Sequence, residues 1–167
     1  MPNMELDSID RKILTALQAD GRLSNVDLAE QVGLSPSPCL RRVRLLEEAG
    51  IIDRYVALVA QGAVGLPVSV FISIKLERQQ EEDLDRFEAE VSAYPEVLEC
   101  YLMTGTQDYL LRVVVADLAA YERFLKTKLT RVGNVASIES SFALKQVKYT
   151  NVLPLDGAPI DPAQARG

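Results

Sequence analysis

Histidine and tryptophan are absent from this chain of 167 residues, and cysteine occurs only twice. Without histidine the sequence lacks the commonest general base and the commonest metal ligand of proteins. It also lacks a glycine-rich phosphate loop and a nucleophile elbow. The two cysteines, Cys39 and Cys100, lie far apart, which fits a reducing compartment and argues against a disulfide framework or a metal site. These absences disfavour an enzyme and predict that the chain needs no cofactor and no metal.

Long apolar runs are missing as well, since no stretch reaches the roughly 18 residues of a membrane-spanning helix. The first residues lack the basic and apolar regions of a secretory signal, so we expect a cytoplasmic protein. Hydrophobic residues make up 48% of the chain, enough for the core of one domain or of two small ones. The formal net charge of −6 argues against non-specific wrapping of nucleic acid, so any DNA contact must come from a local basic patch.

Residues 23–50 contain two helical patterns separated by a short turn, which is typical of a helix-turn-helix. Ser24 is predicted to cap the first helix, with Asp27 as its capping-box partner. Gly33 supplies the left-handed position that ends this helix. Ser35 is predicted to cap the second helix, whose first position is a proline. The turn between the helices is therefore expected to be tight and well defined.

The second of these helices has an apolar stripe and a cationic surface. Three apolar residues recur at a constant spacing and are predicted to face the core: Leu40, Val43 and Leu46. Three arginines occupy the remaining surface: Arg41, Arg42 and Arg44. Positive charges near the start of a helix oppose its dipole and require an anion, which a DNA phosphate or a guanine edge would supply. The hydroxyl groups of Ser35 and Ser37 lie at the same end. The pattern favours a recognition helix in the major groove, and the alternative is a solvated arginine face on an ordinary helical hairpin.

Two further segments complete the predicted N-terminal domain. Residues 7–19 form an amphipathic helix capped by Asp7, with a buried stripe of four residues: Ile9, Ile13, Leu14 and Leu17. Residues 51–59 are rich in β-branched side chains, which predicts a strand that acts as a wing or as a connector. We therefore place a winged helix-turn-helix domain at residues 1–59 and a glycine- and proline-containing linker at residues 60–67.

The pattern changes after the linker. Strands are predicted at residues 68–77, 97–104, 108–116 and 135–147, and helices at residues 80–94 and 118–132. The order strand, helix, strand, strand, helix, strand predicts a ferredoxin-like α+β sandwich over residues 68–150, with both helices on one face of the sheet. The other face carries Phe71, Tyr101 and Met103, so we expect another subunit to cover it. Residues 151–167 form a tail that is expected to be loosely held after Pro154.

Several linked motifs resemble the Lrp/AsnC family of bacterial and archaeal transcription regulators. They run from LDSIDRKIL through LSPSPCLRRVRLLEEAGII and GTQDYLLRV to FALKQVKYT, and so cover nearly the whole chain. The resemblance implies an N-terminal DNA-binding domain and a ferredoxin-like domain that binds an effector, usually an amino acid. It also implies dimers that assemble further, commonly to octamers. The implied DNA contacts are Ser35, Ser37, Pro38, Arg41, Arg42 and Arg44, together with Asn25, which is placed to reach a phosphate.

The resemblance places effector binding between dimers, at the loop that joins the second and third strands of the C-terminal domain. The implied residues are Met103, Gly105, Thr106, Gln107, Asp108, Tyr109, Ile138 and Ser140. Glycine lets the backbone approach a ligand, neighbouring N–H groups can hold its carboxylate, and Asp108 can accept from its ammonium group. Without the resemblance, the same loop is more simply a hairpin turn. Many members have an aromatic residue before the aspartate, whereas Thr106 and Gln107 here form a polar pair that could bind an effector side chain.

The sequence thus predicts a homo-oligomeric regulator that docks paired recognition helices in successive major grooves of double-stranded DNA and responds to an amino acid. Two alternatives stay open. An architectural DNA-organising protein without a metabolite ligand is favoured by the polar pair in the loop. A metabolic enzyme, or its amino-acid-sensing subunit, is the other, because ferredoxin-like domains occur there too.

Overall fold

The computed structural model describes residues 6–156, which divide into two units. Within that range the first unit is built from residues 6–58 and 148–156, and the second is Val59–Val147. Each unit has its own hydrophobic core. No helix in residues 6–156 is long and apolar enough to cross a membrane. The predictions for the end of the tail, residues 157–167, lie outside the described residues.

Three helices form most of the first unit. They are α1, Ser8–Ala19; α2, Asn25–Val32; and α3, Pro36–Glu48. Asp7 caps α1 in a capping box with Asp10, in which each carboxylate accepts from the other residue's backbone N–H. Ser24 caps α2 by accepting from the N–H of Asp27, and Gly33 ends α2 with a left-handed φ of 74°. The predicted boundaries of both helices are therefore confirmed, because these caps are local features of the sequence.

Two predictions for α3 are wrong in detail. Leu40 is 38% exposed, and the buried stripe instead runs through Cys39, Val43 and Leu46. This stripe has spacings of four and then three residues, which follows the helical period better than a constant three. Ser35 lies at the N-cap position but its side chain makes no capping hydrogen bond. The third residue of the helix is Pro38, which has no N–H to donate to the Ser35 hydroxyl.

The predicted strand at residues 51–59 is not formed. Residues 53–60 carry no regular secondary structure, and Tyr55, Val56 and Leu58 are exposed. A strand needs a hydrogen-bonded neighbour, and the single described sheet contains only strands of the second unit. High β propensity alone was therefore insufficient to predict this segment.

The second unit is an α+β sandwich. Its elements are β1, Val68–Leu76; α4, Glu81–Ser92; β2, Val97–Leu102; β3, Tyr109–Val115; α5, Leu118–Thr127; and β4, Val135–Phe142. The strands form an antiparallel sheet in the order β2-β3-β1-β4, which confirms the predicted ferredoxin-like topology. The predicted second helix is divided, because α5 ends before Lys128 and a short 3₁₀ helix, Leu129–Arg131, follows.

One face of this sheet is covered and the other is open. Alternate residues of β1 are fully buried against both helices: Val70, Ile72 and Ile74 on the strand, with Phe87 of α4 and Phe124 of α5. On the other face, Phe71 is 39% exposed and Tyr101 is 52% exposed. This arrangement confirms that both helices pack on one side, as the period of two in β1 predicted.

The C-terminal segment, residues 148–156, belongs to the first unit. The side chain of Gln18 on α1 donates to the Leu153 carbonyl at 3.3 Å and accepts from the Leu153 N–H at 2.6 Å. Arg11 donates to the carbonyl of Leu155, whose side chain packs against the core of this unit. The start of the tail is thus held more firmly than predicted, because its backbone groups find partners on α1.

Replacing Gln18 with alanine should weaken this attachment. We expect Gln18→Ala to reduce the local stability of α1 and the C-terminal segment by about 1 kcal/mol, because two hydrogen bonds to the Leu153 backbone are lost. Residue-resolved amide hydrogen exchange measures the change. Lys12→Ala, on the exposed side of α1, is the matched control, and equal protection in the two variants would contradict the assignment.

Candidate nucleic-acid interface and effector loop

Helix α3 presents an exposed basic face, which we define by Ser37, Arg41 and Arg44. Their spacings of four and three residues place the three side chains on one side of the helix. Together with Leu40, Leu45 and Glu48 they line a shallow depression of about 260 Å³. Ser35 and Pro38 are exposed at the N-terminal end of the same helix. The structure therefore brings five of the predicted DNA-contact residues to one end and one side of α3.

Arg42 is not part of the basic face. Its guanidinium Nη1 lies 2.8 Å from Asp7 Oδ2 and 2.8 Å from Asp10 Oδ1, both at the start of α1. Hydrogen bonds to Asp10 and then Asp7 raise the pKa of Arg42. The pKa of Asp7 is lowered, first by the backbone N–H of Asp10 and further by Arg42. The predicted DNA contact of Arg42 stays a prediction, and the structure places its guanidinium on two carboxylates within the first unit.

The need of Asp10 for a partner could have been found from the sequence. Asp10 is 4% exposed and lies three residues before Ile13 and four before Leu14, so it shares their buried side of α1. A carboxylate at a core position requires a cation or several hydrogen-bond donors. The local pattern identifies Asp7 as a cap, but the cation that pairs with Asp10 lies 32 residues away.

Asn25 also has an internal role in place of the predicted phosphate contact. Its Nδ2 donates to the carbonyl of Pro36 at 2.8 Å, which joins the start of α2 to the first turn of α3. Its Oδ1 is buried and has no hydrogen-bond partner among the described residues. Asn25 therefore fixes the turn between the two helices.

The candidate effector loop joins β2 to β3. Gly105 has a φ of 119°, a left-handed value that favours glycine. The loop is closed by a hydrogen bond from the Met103 N–H to the Asp108 carbonyl, at 2.8 Å. Met103 and Thr106 are exposed. The Oε1 atom of Gln107 is buried and finds no hydrogen-bond partner among residues 6–156.

Asp108 anchors this loop to the end of β1. Its Oδ2 accepts from the Leu76 N–H at 2.7 Å, and its Oδ1 accepts from the Gln79 side chain at 2.7 Å. Its own N–H donates to the Ile74 carbonyl at 2.8 Å. Both carboxylate oxygens thus have a partner within the chain, so an ammonium group would have to share them.

Three of the predicted effector residues lie on the face of the sheet that the helices cover. Tyr109 is 1% exposed, donates to Glu88 at 2.7 Å and packs on Phe87 with ring centroids 4.5 Å apart. Burial and the Glu88 carboxylate raise the pKa of Tyr109. Ser140 is hydrogen-bonded to Tyr121, and Ile138 packs against the same core. Their predicted role in effector binding stays a prediction, and strand alternation directs these three side chains toward the helices.

The remaining predicted effector residues are adjacent in the loop, from Met103 to Asp108. No group of three or more histidine, cysteine or acidic residues within residues 6–156 could hold a metal ion.

Comparison with known proteins assigns a role to each unit. Residues 6–53 match a family model described as winged helix-turn-helix DNA-binding, and residues 69–153 match the model of the Lrp/AsnC ligand binding domain. The chain is therefore a DNA-binding transcription regulator with a ligand-binding domain, and not an enzyme. It belongs to the Lrp/AsnC family.

Individual relatives cover almost the whole chain. The Bkd operon transcriptional regulator of Pseudomonas aeruginosa is 52% identical over 151 residues, which is 90% of this chain and 99% of that protein. The leucine-responsive regulatory protein of Escherichia coli is 41% identical over 152 residues, 91% of this chain and 93% of that protein. A transcriptional regulator of Neisseria meningitidis, solved as a complex with L-methionine, has a TM-score of 0.88 and 44% identity, and the match covers 91% of this chain and 98% of that one.

Removal of the Asp108 carboxylate should destabilise the second unit. Asp108→Ala leaves the N–H of Leu76, a residue only 2% exposed, without its acceptor. We expect the free energy of unfolding of this unit to fall by about 1–3 kcal/mol, the cost of an unsatisfied buried donor. Thermal unfolding followed by circular dichroism measures it. Asp85→Ala, on the exposed side of α4, is the control and should leave the melting temperature nearly unchanged.

Proposed function

We propose that this protein is an amino-acid-responsive transcription regulator that acts as a homo-oligomer in the cytoplasm, where its DNA target lies. The observation that supports DNA contact most strongly is the basic face of α3. Arg41 and Arg44 are exposed there and make no ion pair or hydrogen bond with another described residue. Guanidinium groups without an internal partner are available for phosphates and guanine edges.

The proposed DNA contacts are Ser35, Ser37, Pro38, Arg41 and Arg44. The net charge of −6 provides no general attraction to DNA, so these few groups carry the electrostatic attraction. Arg42 and Asn25 are left out, because their donors are used within the first unit. Paired recognition helices would then enter successive major grooves, with half-sites about one helical turn or a multiple of it apart.

The proposed domain boundaries separate DNA binding from effector binding and assembly. We assign DNA binding to residues 1–59, a linker to 60–67, and effector binding and assembly to 68–150. The linker contains a short 3₁₀ helix, Gln61–Val64, whose first side chain is hydrogen-bonded to Ser69 at 3.0 Å. Residues 148–150 fall in the first unit, so the C-terminal segment is a proposed part of the DNA-binding domain.

Loss of either free arginine should weaken DNA binding. The probe is a duplex that the wild-type chain selects from a random pool. We expect Arg41→Ala or Arg44→Ala to cost about 1–3 kcal/mol of affinity when the arginine contacts a base, and to lower the salt slope by about 1 when it contacts a phosphate. Fluorescence anisotropy at several salt concentrations measures both effects.

Arg123→Ala is the matched control, since it removes one positive charge from an exposed position on α5 in the other unit. It should leave the affinity almost unchanged. Undiminished binding by both the Arg41 and the Arg44 variants would contradict the proposed interface.

The open face of the sheet supports self-association. Phe71 and Tyr101 are partly exposed on it, and between their strands Arg112 pairs with Glu99 at 2.9 Å. Tyr101 donates to the same Glu99 carboxylate at 3.1 Å. Apolar rings beside an internally neutralised ion pair form a surface with little net charge, as is found at interfaces between subunits. We propose that a second copy of the chain covers this face.

The candidate effector loop supports a free amino acid as the ligand. Residues 69–153 match a ligand-binding domain, and the similar regulator of Neisseria meningitidis was solved with L-methionine. In this chain Gly105 lets a ligand approach the backbone, and the unpartnered Oε1 of Gln107 can accept from an ammonium group. The proposed site therefore comprises Met103, Gly105, Thr106, Gln107 and Asp108, without the three residues that face the helices.

A thermal-shift screen against the standard amino acids, followed by sedimentation velocity, tests ligand binding and assembly together. We expect at least one amino acid to raise the melting temperature, because a ligand at 100 times its Kd stabilises the folded state by about 2.7 kcal/mol. The same ligand should change the sedimentation coefficient. Gln107→Ala should weaken the shift, and Gln80→Ala, an exposed glutamine in the same unit, should not.

The proposal would be contradicted if the protein were a monomer and no amino acid raised its melting temperature. An oligomer that binds DNA but responds to none of them would favour the architectural DNA-organising protein.

A further inference from the structure

The triad of Asp7, Asp10 and Arg42 is the feature of the first unit that DNA contact does not use. Each carboxylate oxygen in it has a defined donor. Asp7 Oδ1 accepts from the N–H groups of Ile9 at 2.8 Å and of Asp10 at 2.9 Å. Asp10 Oδ2 accepts from the Asp7 N–H at 3.1 Å, and the two remaining oxygens face Arg42. The capping box therefore fixes both carboxylates independently of their contacts with the guanidinium.

Burial of the triad determines the direction in which the Arg42 side chain points. The side chains of Asp10 and Arg42 are 6% and 25% exposed, so neither charge can exchange its partner for bulk water at low cost. If Arg42 left to reach a phosphate, Asp10 would remain as an unpaired carboxylate in the core. Arg42 is consequently held toward α1.

The position of Arg42 determines where the other arginines point. A helix turns by about 100° per residue, so Arg44 lies about 160° around α3 from Arg42, and Arg41 about 100°. With Arg42 held against α1, Arg44 has to face outward. Rotation of α3 about its own axis would break the two contacts of Arg42 at the same time as it moved Arg41 and Arg44.

We infer that Arg42 is a positioning residue, held by Asp7 and Asp10, that sets the rotation at which α3 presents Arg41 and Arg44 to DNA. This inference rests on the proposed DNA-binding function. For the loss of Asp10 it predicts a change in DNA affinity opposite to the change expected from charge alone. Removing a negative charge from a DNA-binding domain should strengthen binding if only charge matters, whereas loss of Asp10 should weaken specific binding because α3 loses its fixed rotation.

The test compares Asp10→Asn, Arg42→Lys and Arg41→Ala on two duplexes, one selected by the wild-type chain and one of random sequence. We expect Asp10→Asn to lower the affinity for the selected duplex by about tenfold, the value of one well-placed base contact. Its affinity for the random duplex should be unchanged or higher. Arg42→Lys keeps the charge but loses the planar fork, so it should show the same selective loss with an unchanged salt slope.

Arg41→Ala provides the reference for a residue that touches DNA, with a salt slope lower by about 1 if it contacts a phosphate. Circular dichroism at the assay temperature checks that each variant is folded. Asp7→Asn, at the more exposed carboxylate, replaces Asp10→Asn if that variant does not fold. If the triad served stability alone, folded variants would keep the wild-type ratio of the affinities for the selected and the random duplex. That result would overturn the inference.

Unchanged or tighter binding of the selected duplex by Asp10→Asn would also overturn it, as would an equal loss of affinity for both duplexes in Arg42→Lys. These outcomes differ from failure of the proposed function. In that case Arg41→Ala and Arg44→Ala would themselves bind the selected duplex normally.

Discussion

A buried carboxylate has few stable environments, and in this protein that constraint links α1 to α3. Asp10 lies in the core of a small three-helix unit, where desolvation would be costly without a partner. The capping box of α1 and the guanidinium of Arg42 together satisfy it. A unit of this size has few apolar side chains. Packing of Ile13, Leu46 and Cys39 alone would therefore restrict the rotation of α3 less than packing together with a directional ion pair.

Arg41 and Arg44 are distinguished by their arrangement on one helix. They are exposed, have no internal partner among residues 6–156 and lie on one side of α3. In the sandwich, Arg112 is paired with Glu99 and Lys128 with Glu96, while Arg86 and Arg123 are exposed without an ion pair among the described residues. Unpaired cations therefore occur in both units, and only the match of residues 6–53 to a DNA-binding family model separates those of α3 from the rest.

Local features of the sequence predicted much of the fold. The caps Asp7, Ser24 and Gly33 and the period of two in β1 depend on neighbouring residues, so they could be identified directly. The contacts between Asp10 and Arg42 and between Gln18 and Leu153 join residues 32 and 135 positions apart, and no local pattern encodes them. The free arginines on α3 could be predicted only as a group, because the choice of Arg42 as the internal partner depends on tertiary packing.

Some errors had a visible signal. Tyr109 alternates with Leu111 and Val113 in β3, so its burial followed from the strand period, whereas the family resemblance alone assigned it to the effector loop. The segment at residues 51–59 had the composition of a strand but has no strand partner among residues 6–156. The composition of this segment thus indicated its high β propensity, but the strand predicted from it was wrong.

The DNA-binding unit is discontinuous in sequence, since its last piece is synthesised after the whole sandwich. A nascent chain that has emerged only as far as residue 58 holds the three helices but not the backbone groups that Gln18 and Arg11 bind. Completion of this unit therefore awaits synthesis of residues 148–156. For the same reason, a hybrid regulator that joins these three helices to a foreign ligand-binding domain would need the C-terminal segment grafted after that domain.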